Sequence, residues 1–218
     1  MPRKSFTLSN MSLPAELALL KRLDTPSKIQ DYLDKLPMNW EKKGETHMSV
    51  RRALREKKAH CIEGALIAAA ALKLHGELPL LMDLYAVEGV GDVDHVVALY
   101  KKNGYWGAIS KTNHPTIRFR DPVYKTLREL ALSYFHEWFL NTNGLKTLES
   151  YSRPLNLDRI KLDWLASEED LWQLDNLLNA LPHYTLIPRR KRNYLRRADP
   201  MELAAGRLEE WKKNDPRT

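Results

Sequence analysis

Apolar residues recur every three or four positions near the start of the chain, every second position in its middle, and every three or four again beyond it. That pattern divides the chain into helical, strand and helical regions. Residues 14–23 are predicted to form a short amphipathic helix. Thr25-Pro26 then opens a second one, with a capping residue followed by proline at the first helical position. Ile29, Tyr32, Leu33 and Leu36 make its apolar face, and it stops before Pro37. Residues 38–47 read as a loop and 49–57 as a short basic helix.

The segment 61–74 is apolar around nearly its whole circumference, with Gly76 just past its end and Lys73 and His75 near its negative pole. A helix without a polar face is a buried one. Three strand-like runs follow, 80–87, 93–100 and 105–110, and Asn103-Gly104 supplies a hairpin turn between the last two. A fourth short strand is predicted at 117–120. From Asp121-Pro122 the spacing of Val123, Leu127, Leu130, Tyr134 and Trp138 is helical again. Residues 140–157 read mostly as connection, 167–181 as an amphipathic helix, 184–187 as an edge strand and 200–213 as an exposed closing helix.

The predicted fold class is α+β, a buried cysteine-bearing helix packed on an antiparallel sheet, with N-terminal helices and a helical C-terminal extension. The predicted organisation is a loose N-terminus at 1–13, a core at 14–122 that includes the N-terminal helices, and the extension at 123–218.

Composition narrows the function classes. With 43% hydrophobic and 29% charged residues in 218, the chain is not broadly disordered. Its longest apolar stretch, 64–72, is about half of what a bilayer crossing needs, so no membrane partner is expected. The basic tip has no hydrophobic region behind it, and no secretory signal is predicted. A single cysteine, Cys61, excludes a disulfide framework and a multi-cysteine zinc site and fits a reducing, cytoplasmic compartment. The net charge of +7 suits an anionic partner without identifying one. No cofactor is expected.

Two readings compete for Cys61. Free cysteine is commonly a small buried hydrophobe. Here, however, it follows Arg51, Arg52, Arg55, Lys57 and Lys58 and opens a buried helix, and both the cations and the helix N-terminus favour thiolate. His95 likewise reads either as a buried neutral histidine or as a functional one. It shares a strand face with Val93, Val97 and Leu99. If Asn103-Gly104 is a two-residue loop, Lys102 pairs with Tyr105. Counting outward then sets Thr112 opposite His95 and Ser110 opposite Val97, so either hydroxyl is able to orient the imidazole. Asn113 faces away unless the strand breaks there.

Asp83 is a carboxylate amid Leu80, Leu81, Met82, Leu84 and Tyr85, and reads as a substitute acid for His95, a cap or a buried ion pair. Asp92 and Asp94 read as solvated. A metal site from Asp83, Asp92, Asp94 and His95 has no recognisable ligand spacing. His60 is placed about a hundred degrees round the helix from Cys61, hence as a poor proton partner for it and at the surface. The run Arg189, Arg190, Lys191, Arg192, Arg196, Arg197 reads as a solvated face or, alternatively, as a phosphate-binding surface for nucleic acid, with Tyr194 its one interleaved aromatic.

A cysteine opening a buried helix, a strand, a histidine strand and then a strand bearing the orienting residue resembles the core order of the transglutaminase-like superfamily of papain-fold thiol enzymes. The stretches that carry the resemblance are AHCIEGALIAAAALKLHGELPLLMDL and GDVDHVVALYKKNGYWGAISKTNHP, within a core of about residues 40–120. The resemblance implies Cys61 as nucleophile, His95 as general base, and an orienting residue at Ser110, where the family usually has aspartate. It implies an amide or acyl substrate in a peptide, protein or small molecule, cleaved or transferred through an acyl-cysteine. The Asn39-Trp40 loop, with the Cys61 N–H, is the region implied for the oxyanion hole. The serine leaves a non-catalytic binding module on the same fold as the alternative.

Overall fold

The computed structural model describes residues 14–42 and 44–214; the N-terminal segment 1–13 predicted to be loose lies outside them. Among these residues the chain runs through helices α1 (Pro14–Arg22), α2 (Pro26–Lys35), α3 (Val50–Glu56) and α4 (Cys61–Leu74), then strands β1 (Leu80–Ala86), β2 (His95–Lys102), β3 (Tyr105–Ile109) and β4 (Arg120–Tyr124). There follow α5 (Leu127–Phe135), β5 (Leu148–Ser152), β6 (Leu155–Asn156), α6 (Trp172–Asn179), β7 (His183–Thr185) and α7 (Pro200–Gly206). Thr25 and Ser49 cap α2 and α3 by accepting from Lys28 N and Arg52 N.

All strand pairs are antiparallel, in the order β4-β3-β2-β1-β5-β7, with β6 beside β1. The fold is α+β. One sheet face presents Leu81, Val96, Ala98 and Ile109 to α4, which is wrapped by α1, α2 and α3. The other presents Met82, Leu84, Val97, Leu99 and Ala108 to Leu130, Ala131 and Tyr134 of α5 and to Trp138. With apolar layers on both faces, the central strands have no solvated side, and Val96 to Tyr100 are all buried.

The hairpin has the predicted register, Lys102 opposite Tyr105 and Ala98 opposite Ile109. Asn103 and Gly104 take positive φ (52° and 87°), as a two-residue turn requires. Elsewhere the boundaries move. The fourth strand begins at Arg120, after a 3-10 turn at Pro115–Ile117, and α5 waits for its cap at Thr126. The predicted helix at 167–181 shrinks to α6 because 167–171 bonds back to the α3 region: Ser49 Oγ donates to Ser167 O, Arg52 pairs with Asp170, and Leu171 N donates to His47 O.

The segment read as connection contains β5 and β6, both paired with β1. The part beyond residue 123 is therefore no helical annex, since β5, β6 and β7 belong to the same sheet as the cysteine-bearing core. Among the described residues, no helix is long and apolar enough to cross a membrane.

Candidate active site

Strand β2 begins and β3 ends at the same edge of the sheet, and α4 begins there too. A cleft of about 570 Å³ opens at this edge, lined among others by Trp40, His60, Cys61, His95, Thr112 and Trp138. Cys61 is the first residue of α4 and half-buried. His95 is the first residue of β2, 7% exposed, and keeps the face of Val97 and Leu99, while Val93 lies outside the strand and is exposed.

Cys61 Sγ lies 3.9 Å from His60 Nδ1, and His95 lines the same cleft. Burial alone pushes the thiol up, but the neighbouring histidines outweigh it and hold the thiol well below its usual range. The basic run before Cys61 has no part in this: Arg51 faces Glu16, Arg52 Asp170, Arg55 Glu168 and Lys58 Glu56. The groups that bear most on the sulfur are histidines.

His95 Nε2 lies 2.5 Å from Ser110 Oγ, and Trp138 stands edge-on to the ring with centroids 6.0 Å apart. Ser110 is fully buried and itself held on both backbone groups. Its N–H donates to Gln30 Oε1 (3.0 Å), and its carbonyl accepts from Gln30 Nε2 (2.8 Å). No sequence pattern marks Gln30 for this role, because it sits on α2, 80 residues away from Ser110. A glutamine on the apolar face of an amphipathic helix is the one available signal.

The remaining candidates go elsewhere. Asp83 pairs with Val96 of β2, not with His95, and its carboxylate faces His183 Nε2 at 3.4 Å, so it does not orient His95. Burial is the main force holding its carboxyl above the usual range, opposed by that histidine. Thr112 Oγ1 accepts from His114 N. Asn113 clamps the C-terminal segment, its amide donating to Trp211 O (2.9 Å) and accepting from Trp211 N (2.7 Å). The amide nitrogen of Asn39 donates to Thr46 Oγ1 and to both Glu63 oxygens, which removes it as an oxyanion donor. Trp40 Nε1 is buried without a hydrogen-bond partner, and its residue lines the cleft.

Asp92 is no solvated carboxylate: it accepts from Trp138 Nε1 and from Thr147 Oγ1 and so fixes the tryptophan against His95. Asp94 is exposed as a residue and accepts from Ala86 N, and partial desolvation of its carboxyl pushes it up to about 6. With Asp83, Asp92, Asp94 and His95 each engaged separately, they form no ligand set. Among the described residues no cluster of three His, Cys, Asp or Glu side chains is placed to hold a metal.

His60 overturns its expected surface position. It is the N-cap of α4, outside the helix, and its extended backbone (φ −98°, ψ −168°) turns the ring back so that Nδ1 lies 3.9 Å from Cys61 Sγ. Helical angular spacing does not apply to a residue with non-helical dihedrals. Glu63, fully buried, accepts from the backbone N–H groups of His60 and Met48 as well as from Thr46 and Asn39.

The C-terminal basic run is partly tied to the body. Arg192 donates to Lys146 O and Leu148 O, Arg197 to Asn143 O, and Arg196 pairs with Asp199. No protein-family model and no curated protein matches the chain.

Proposed function

We propose that this protein is a transglutaminase-like thiol enzyme that cleaves or transfers an amide or acyl group through an acyl-Cys61 intermediate. The observation that carries the reading is a thiol that opens a buried helix at the mouth of a cleft, with the His60 ring 3.9 Å from its sulfur and with His95, oriented by a buried hydroxyl, lining the same cleft. A structural cysteine needs none of this.

In the reaction, His95 takes the thiol proton, Sγ attacks the carbonyl carbon, and the proton returns to the departing nitrogen or oxygen as its bond to carbon breaks. Water or an amine then attacks the thioester, with His95 again as base, and Sγ leaves as thiolate. Ser110 occupies Nε2 of the ring, which leaves Nδ1 for these transfers. The developing oxyanion has two donors available. One is the Cys61 N–H at the first helical position, which has no intrahelical partner; the other is the orphaned Trp40 Nε1. The cleft walls Met38, Val93 and Trp138 suit an apolar flank of a peptide, protein or small amide substrate. The reading includes a cytoplasmic location, where a reducing environment keeps a lone reactive thiol from oxidation.

The deciding experiment uses p-nitrophenyl acetate with mass spectrometry of the intact chain. Acetyl-Cys61 is expected to form and turn over, to be absent in Cys61→Ser, and to accumulate in His95→Ala as deacylation slows by about 100-fold or more. Failure of Cys61 to acylate, or turnover unchanged in His95→Ala, refutes catalysis. It would favour the second reading, a binding module, for which Ser110 in the place of a carboxylate speaks.

A further inference from the structure

Two groups of the site take no part in the reaction above. They are the His60 ring against the Cys61 sulfur and the buried Glu63 carboxylate behind that ring. We propose that His60, backed by Glu63 and Glu41, is a second histidine of the thiol site. It holds the Cys61 proton at rest and supplies, from the helix side, the acid-backed imidazolium that Ser110 cannot give to His95. The proposal rests on the thiol-enzyme reading and adds to it where the resting charge sits.

Tautomer logic comes first. His60 Nε2 lies 2.7 Å from Thr46 O, and a carbonyl oxygen only accepts, so Nε2 carries hydrogen. In the neutral ring Nδ1 is then bare and faces Sγ at 3.9 Å. Transfer breaks the S–H bond and forms N–H on Nδ1, turning thiol and imidazole into thiolate and imidazolium with no proton entering the site. The protonated ring has carboxylate oxygens beyond Nε2, Glu63 Oε1 at 3.4 Å and Glu41 Oε1 at 3.7 Å. Glu63 is fixed there by donors alone, the arrangement an ionised carboxylate needs.

His95 has the opposite surroundings, a neutral hydroxyl on Nε2 and an indole edge. The other groups facing His60 are the His47 ring, edge-on at 5.6 Å between centroids, and Cys61 itself. Burial disfavours charge on His60, but the bond to Cys61 and the charges of Cys61 and Glu63 overcome it and hold the imidazole above its ordinary value. Thiolate, His60 and His95 thus share one transferable proton. Glu63 and Glu41 keep it on the helix side until substrate arrives; it then returns to Sγ and passes to His95, which delivers it to the departing group.

The test titrates the thiolate by its ultraviolet absorbance, and by iodoacetamide rate against pH, in the full chain and in His60→Gln, Glu63→Gln and His95→Gln. The thiol midpoint is expected to rise by about one pH unit or more in His60→Gln, less in Glu63→Gln, and least in His95→Gln. A purely structural role for His60 would leave the midpoint where it is. An unchanged midpoint in His60→Gln, with a rise in His95→Gln, overturns the proposal while leaving the thiol-enzyme reading intact. An ordinary thiol midpoint in the unmodified chain, together with no acylation by p-nitrophenyl acetate, overturns both. Should a variant not fold, nitrogen-15 spectra of the histidine rings in the unmodified chain decide. His60 is expected to carry hydrogen on both ring nitrogens at neutral pH and to lose one when Cys61 is carboxamidomethylated; a neutral His60 beside a free Cys61 overturns the proposal.

Discussion

Ser110 is held at three points: its hydroxyl by His95, and its N–H and C=O by the side-chain amide of Gln30. A hydroxyl so fixed orients a ring but adds no charge, which sets the size of the effects to expect. Ser110→Ala should lower ester turnover severalfold, in line with loss of about 1 kcal/mol of hydrogen bonding. Ser110→Asp should raise the charge on His95, and Asp83→Asn should leave turnover nearly unchanged, because that carboxylate faces His183. Steady-state kinetics on the three variants checks the assignment, and a larger loss in Asp83→Asn than in Ser110→Ala contradicts it.

The next residue, Lys111, is fully buried with Nζ on the carbonyls of Leu33 and Leu36 at the end of α2. Burial draws its ammonium down to about 8 from an ordinary 10.5. Between those values the unfolded chain binds more protons than the folded one, so stability from this group rises with pH across that window. Denaturant midpoints should rise over that range in the unmodified chain relative to Lys111→Met, and parallel pH profiles for the two would contradict it.

Between elements, α4 lies close against the segment after β3. A Cβ on Gly64 would collide with the Cβ of Lys111, so glycine lets the helix lie against the residues that follow Ile109. Helix propensity favours Gly64→Ala by about 1 kcal/mol, but overpacking costs about 1 to 3 kcal/mol and is expected to win. A lower denaturation midpoint with slower Cys61 alkylation is the expected outcome, and a stabilised variant would mean that helix and strand are not in contact there.

Elements with a strong local signature are legible in the sequence: α4 by its apolar run, the β2–β3 register by Asn103-Gly104, and through that register the place of Ser110 on the face of His95. Strand β5 is not, because LESYS buries all five residues while three are polar. Ser152 is buried by accepting from Asp83 N, a partner far off in sequence. His60 is hidden for the same kind of reason. Its position depends on backbone dihedrals at a cap and on Glu63 bonding back to its N–H, neither of which periodicity reports.

At the scale of the whole molecule, early and late parts of the chain both line the cleft. Asn113 grips Trp211, and Gly206 and Glu209 line the cleft together with Trp40 and Met38. The sheet is interleaved in the same way, which periodicity within segments has no means of showing. β1 has β2 on one side, but its other side is filled by β5 and β6, which lie more than sixty positions later. That topology sets an order of events during synthesis. When the ribosome has released the chain as far as β4, the cysteine helix and the histidine strand exist, yet β1 presents an unpaired ladder along its outer side. A chain cut after Tyr124 should therefore aggregate rather than fold to a small active core, as light scattering and far-UV dichroism would report. Adding a peptide spanning 145–187 should suppress the aggregation, and a soluble, cooperatively melting fragment would contradict this. The thiol of a nascent chain thus stays outside its finished site until the second half has emerged, which ties the onset of reactivity to completion of the sheet.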